Sequence, residues 1–246
     1  MATLYIVSTP IGNLEDISLR ALKTLFKVDF IACEDTRKTG FLLNHYRQMN
    51  LEFLTDQPLS DLPKPKLISY YEENEEQRIP EIIGHLKSKK SVALVTNAGT
   101  PTIADPGFKL VKQCIKENIK VIPIPGASAI LSALVVSGLP TNKFLFLGFL
   151  PKKGVKRKKL LAQFQSSLKD FKQPITLIIN ESPHRLIKTL QDIKEVFKEI
   201  DIVITNELTK IHEKVWRGKI SEAIKEFKNS KGEFTLLFYI SPHRIR

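Results

Sequence analysis

The sequence predicts an α/β protein of two domains. Residues 1–147 should form a mostly parallel sheet with helices on both faces, and residues 148–246 a basic α/β domain with a mixed sheet. Three observations predict this. Short β-rich runs alternate with helical patterns along most of the chain, the order that builds parallel sheets. The turns after several of these runs are rich in small residues. Charge is distributed unevenly, with 17 basic and 15 acidic residues in 1–148 but 21 and 11 in 149–246.

In the first half, Leu4–Ser8 reads as a buried strand, and Ser18 as the cap of a helix running to Phe26. Val28–Cys33 is the next strand, followed by a helix from Thr36 to Tyr46 with Thr36 as its cap. Residues 50–65 hold three prolines and read as a loop. Leu67–Tyr70, Val92–Thr96 and Val121–Ile124 are further strands. Helices are expected at Asn74–Leu86, from Pro106 to Glu117, and at Ala127–Ser137. Gly148–Gly154 reads as the inter-domain linker, because turn residues and the change in charge coincide there. Beyond it, helices are expected at Val155–Leu168, Pro183–Lys198 and Ser221–Lys228. Strands are expected at Ile175–Asn180, Ile202–Asn206 and Phe234–Ile240.

Composition excludes several classes. Two cysteines, Cys33 and Cys114, give no disulfide framework and no zinc knuckle. The first residues lack the pattern of a signal peptide, and Ala127–Leu139 is too short to span a bilayer. A cytoplasmic protein is expected. No metal-ligand spacing occurs among the five histidines, so no metal is expected. The net charge of +12 points to a polyanionic partner, with a solvated lysine-rich surface as the alternative.

The chemistry-bearing residues gather at strand ends. In an open α/β sheet, ligands sit beyond the carboxyl ends of the strands. Ser8-Thr9-Pro10-Ile11-Gly12-Asn13 follows the first strand. Cys33-Glu34-Asp35-Thr36-Arg37 closes the second, and leaves Glu34 and Arg37 for substrate. Thr96–Gly107 follows a buried strand with a row of small residues, and Pro125-Gly-Ala-Ser-Ala129 repeats the pattern after the next. Such segments present main-chain N–H and C=O groups to a ligand; two unrelated loops are the alternative. No Gly-x-Gly-x-x-Gly or Gly-Lys-Ser/Thr occurs, so a cofactor without phosphates suits these loops better. In the second half, Glu181-Ser-Pro-His184-Arg185 closes a strand, with Ser182 as cap and Pro183 at the first helical position. Thr205–Lys210 has the same character. Lys152, Lys153, Lys156, Arg157, Lys158 and Lys159 crowd eight positions, a density that favours phosphate contact.

The motifs Thr9–Asp16, Ala32–Arg37, Ala98–Gly107, Pro125–Ala129 and Glu181–Arg185 occur in this order. Together they resemble the ribosomal RNA small subunit methyltransferase I family of the tetrapyrrole methylase-like superfamily. The resemblance runs over almost the whole chain, including Lys231–Thr235. It implies a two-domain tetrapyrrole methylase-like fold, S-adenosyl-L-methionine in a cleft between the domains, and a homodimer. The implied reaction is 2′-O-methylation of a cytidine in the decoding region of 16S rRNA, with the 30S subunit as partner. Carried over by motif, the cofactor should touch Pro10, Ala98, Gly99, Thr100, Ile103, Ser128 and Ala129, with Glu181 and Leu208 as weaker transfers. The family usually has Asp where this chain has Asn97. On that reading, Asn97→Asp should bind the cofactor at least as well.

Glu34, Asp35, Glu181 and His184 are the candidate bases for the ribose hydroxyl, with Glu181 preferred. Glu181→Gln should then lower turnover more than cofactor affinity. Arg37, Arg185 and the lysine-rich run are the candidate RNA contacts. The alternatives are a methylase of a tetrapyrrole-type small molecule and a non-enzymatic RNA-binding protein that keeps the fold.

Overall fold

The computed structural model describes residues 2–49, 61–171 and 173–240, with the side chains of 168–171 left aside. Part of the expected proline loop at 50–65 lies outside the described residues. The chain divides into two units, Met1–Ser128 and Ala129–Arg246.

In the first unit, strands β1 (Thr3–Val7), β2 (Phe30–Cys33), β3 (Lys66–Ser69), β4 (Val92–Val95) and β5 (Lys120–Ile124) form one sheet in the order β3-β2-β4-β1-β5. Each described pairing in it is parallel. Alternate residues face opposite sides, as the pleat requires. Val7, Ile31, Cys33, Ala93 and Val95 pack with α1 (Leu19–Lys27) and α2 (Thr36–Gln48). Leu4, Ala32, Val92 and Leu94 pack with α3 (Glu75–Lys87) and α4 (Phe108–Lys116). Both faces of the strands are therefore apolar, and the polar residues are left for the strand ends.

Local chemistry sets the helix starts. Ser18 accepts a hydrogen bond from Ala21 N at 3.1 Å, which fixes the start of α1. The cap of α2 is Asp35, not Thr36: its carboxylate accepts from Arg37 N at 2.9 Å, and Thr36 is the first helical residue. The helix expected from Pro106 begins at Phe108, because Gly107 takes φ +130° and cannot continue a helix backwards.

The second unit contains β6 (Phe144–Phe149), β7 (Ile175–Glu181), β8 (Asp201–Asn206), β9 (Lys214–Lys219) and β10 (Phe234–Ile240) in the order β6-β7-β10-β8-β9. β6 is parallel to β7; β10 runs antiparallel to β7 and β8, and β9 antiparallel to β8. The helices α6 (Gly154–Phe171), α7 (Pro183–Phe197) and α8 (Ile220–Glu226) enclose one face through Leu161, Leu190, Ile193 and Ala223. Helix α5 (Ala129–Ser137) covers the other through Ala133 and Leu134 against Ile178, Val203 and Leu237.

The division at Ser128/Ala129 falls before the expected 147/148 boundary. Phe144–Phe149 pairs with β7, and α5 packs on the second sheet, so both belong to the second unit. Strands β6 and β9 go beyond the sequence expectation. Both are edges, bonded on one side, and the Lys-Val-Trp-Arg-Gly-Lys of β9 has the charged composition that edges tolerate.

Candidate functional site

Three strand ends of the first unit meet in one place. Past β1, Thr9 N donates to Gly99 O at 2.9 Å and Gly99 N to Thr9 O at 3.0 Å, an isolated antiparallel bridge joining the loops after β1 and β4. The Ser8 and Thr100 hydroxyls lie 2.9 Å apart, and Thr100 Oγ1 donates to Ala127 O at 3.2 Å. The loops after β1, β4 and β5 are thus tied together at the carboxyl edge of a parallel sheet.

Small residues are required here. Gly99 has φ +88°, where a side chain is strained. A Cβ on Gly126 would sit 2.9 Å from Ser8 Cβ. The loop after β4 also holds Thr102 at φ +74° and Ala104 at φ +63°, conformations that non-glycine residues seldom adopt and that concentrate at ligand sites.

Asn97, Ala98 and Ile103 are exposed, Thr100 is half-buried and Pro10 is buried. Among the described residues, no hydrogen bond engages the main chain of Ala98, Thr100 or Ile103. A surface of unengaged amides and carbonyls fits a nucleoside cofactor recognised through its polar edge. Ser128, half-buried, ends the first unit, and Ala129 opens α5 in the second.

Glu34 closes β2 against this floor. Its Oε1 accepts from Asn97 N at 3.0 Å and from the Thr96 hydroxyl, and its Oε2 accepts from Asn97 Nδ2 at 3.3 Å. Arg37 is not free as expected: its guanidinium pairs with Asp35, with Nη2 2.9 Å from Oδ2, although the arginine side chain is 89% exposed. These bonds hold the Asp35 carboxyl down at about 2.

The second unit places the preferred base inside the fold. The Glu181 side chain is fully buried. It accepts from Ser182 N at 2.8 Å, Arg185 Nη2 at 3.1 Å and the Thr189 hydroxyl at 2.5 Å. Three internal donors make this carboxylate a structural anchor. Ser182 does cap α7, but its hydroxyl makes no capping bond. Arg185 is drawn inward as well: Nη2 also donates to Leu150 O at 2.6 Å, and its Nε is buried with no partner among the described residues. His184 on the same turn is exposed. Leu208 is half-buried and packs on the apolar cluster beneath α5.

The basic run also divides. Arg157 is only 4% exposed; its Nη2 lies 2.5 Å from Asp192 Oδ2, and its Nη1 donates to Pro151 O at 3.2 Å. This residue pins the start of α6 to α7, and its charge is turned to Asp192 rather than to the surface. Lys158 pairs with Glu195 at 3.0 Å. Lys152, Lys153, Lys156 and Lys159 are exposed, with no ion pair among the described residues. No helix of the described residues is long and apolar enough to cross a membrane.

The family of Tetrapyrrole (Corrin/Porphyrin) Methylases matches residues 3–224. Similar solved structures include the uroporphyrin III C-methyl transferase of Thermus thermophilus, at 16% identity and TM-score 0.61 over the full length of both chains. The same enzyme complexed with S-adenyl homocysteine matches at 14% and TM-score 0.61. These likenesses set the class: a tetrapyrrole methylase fold. The ribosomal RNA small subunit methyltransferase I of Thermotoga maritima is 47% identical, over 96% of this chain and 98% of that protein. That of Mycoplasmopsis pulmonis is 46% identical, over 98% and 99%. The chain belongs to the ribosomal RNA small subunit methyltransferase I family and is an S-adenosylmethionine-dependent methyltransferase.

Proposed function

We propose that this protein methylates the 2′-hydroxyl of a cytidine in the decoding region of 16S rRNA, working in the cytoplasm as a homodimer. The observation that carries the cofactor side is the tied floor of main chain at Ala98–Thr100 and Gly126–Ala127. The names of the relatives support the RNA side, as do four exposed lysines at 152, 153, 156 and 159 that pair with no acid among the described residues.

When bound, S-adenosylmethionine supplies an electrophilic methyl on a sulfonium, so the protein's task is alignment. Ala98 and Thr100 would hold the nucleoside by main-chain hydrogen bonds, with Gly99 allowing its close approach and Ile103 and Pro10 offering apolar contact. Of the four candidate bases, Glu34, Asp35 and Glu181 are engaged by internal donors. His184, exposed on the first turn of α7, is the group we assign to accept the ribose proton.

Labelled S-adenosylmethionine incubated with 30S subunits lacking the modification tests the reading. Label should appear on one ribose 2′-oxygen, and His184→Ala should slow transfer about a hundredfold. Transfer to a base, or none to RNA, would overturn it.

A further inference from the structure

Strand β6 carries an extra residue near its end. Phe146 pairs with Ile178 and Phe149 with Asn180, so β6 advances three residues where β7 advances two. Gly148 lies in the irregular stretch at φ +63°, a backbone typical of a glycine bulge. Before it, Leu145 and Leu147 face the core beneath α6 and α7, and Phe146 faces the cluster under α5. An unbroken alternation would send Phe149 into the first of these cores and turn Leu150 away from it. The bulge exchanges them. Leu150 is 2% exposed within that core, and Phe149 is left 56% exposed.

The segment that follows is held from within. Arg185 Nη2, itself 3.1 Å from Glu181 Oε2, donates to Leu150 O at 2.6 Å. Arg157, paired with Asp192, donates from Nη1 to Pro151 O at 3.2 Å and to Lys152 O at 3.4 Å. Two inward-turned arginines thus fix the main chain between Phe149 and Lys153. Out of this fixed segment and the first turns of α6 project Lys152, Lys153, Val155, Lys156 and Lys159, all exposed, and none of these lysines pairs with an acid among the described residues. Because β6 and β7 are parallel neighbours, Phe149 shares its sheet edge with the start of α7 and the exposed His184. An open aromatic ring beside unpaired cations suits a single nucleic-acid strand, with its phosphates on the lysines and a base on the ring.

We propose that Phe149 is a stacking platform for an unpaired base of the RNA substrate, turned outward by the bulge at Gly148, while Lys152, Lys153, Lys156 and Lys159 take the flanking phosphates. Arg157 and Arg185 act on the RNA only through the segment they fix. The inference deepens the functional reading above and rests on its RNA substrate.

The test is fluorescence anisotropy with a labelled oligocytidylate of about 12 nucleotides, read over a range of salt, alongside methyl transfer to 30S subunits lacking the modification. Phe149→Ala should bind the oligonucleotide about tenfold more weakly, with the salt slope of the wild type because no charge is removed. Phe149→Tyr should stay within about twofold of wild type. Phe149→Leu keeps an apolar side chain but loses the flat ring, and should bind as weakly as Phe149→Ala. The KM for 30S subunits should rise in the same two variants and not in Phe149→Tyr. A leucine variant that binds like wild type, or a Phe149→Ala loss that changes the salt slope, overturns the platform. Ring-dependent RNA binding by a protein that places no methyl on a ribose 2′-oxygen would instead overturn the functional reading and leave the platform standing.

Discussion

Two glutamates end strands in the two units, and they behave differently. Glu34 ends β2 half-buried, with its donors coming from a neighbouring loop 62 and 63 residues on. Glu181 ends β7 with a fully buried side chain, and its donors come from the helix that follows it, Arg185 at i+4 and Thr189 at i+8. Both donors lie on one helical face. The first glutamate shapes a surface open to a ligand; the second locks a strand to its own helix. A Glu at a strand end therefore does not declare its role. The elements that supply its donors decide it. The same contrast divides adjacent residues of the basic run, where Arg157 is buried against Asp192 while Lys156 is exposed.

The sharpest way to break this contrast is at Arg157. Arg157→Ala leaves the Asp192 carboxylate, only 14% exposed, without its partner. It should cost about 3 kcal/mol in urea unfolding, whereas Lys156→Ala should change stability by less than about 0.5 kcal/mol. Equal effects would erase the distinction. Next, Glu181→Gln should cost about 2 kcal/mol while leaving turnover per folded molecule unchanged in the methyl-transfer assay. Loss of turnover without loss of stability would return Glu181 to the chemistry.

A smaller effect is expected on RNA. Replacing Lys152, Lys153, Lys156 and Lys159 together by Ala should reduce the salt slope of RNA binding by about 3 for a single strand, with the fold intact. An unchanged slope would make them a solvated face. The smallest effect concerns Asp35, whose carboxyl lies near 2 against a usual 3.8. Because its folded value is depressed, its contribution is present above about pH 4 and fades as pH falls toward about 2. Asp35→Asn keeps the cap, so acid melting curves of the variant should lose part of the wild-type slope in that window.

Much of the first unit was legible in the sequence. Its central strands β2 and β4 are buried on both faces and read as apolar runs, and Ser18 announced its helix correctly. The loops at 96–101 and 125–127 were legible as small-residue turns because their backbone excludes larger side chains. Strands β6 and β9 were missed because β6 runs into the glycine-rich segment read as linker and the charged residues of β9 hide its alternation. The partners of Glu34, Glu181 and Arg157 were not legible, since each depends on which distant or helical neighbour arrives beside it.

By itself, the sequence determined the alternation of elements, the positions where only small residues fit, and the excess of lysine in the second half, since these are local properties of side chains and backbone. The tertiary structure alone decided which charges are paired inside the fold and which remain outside. A charge's role is set by the donors and acceptors within about 3 Å of it, and those come from segments that only folding brings together.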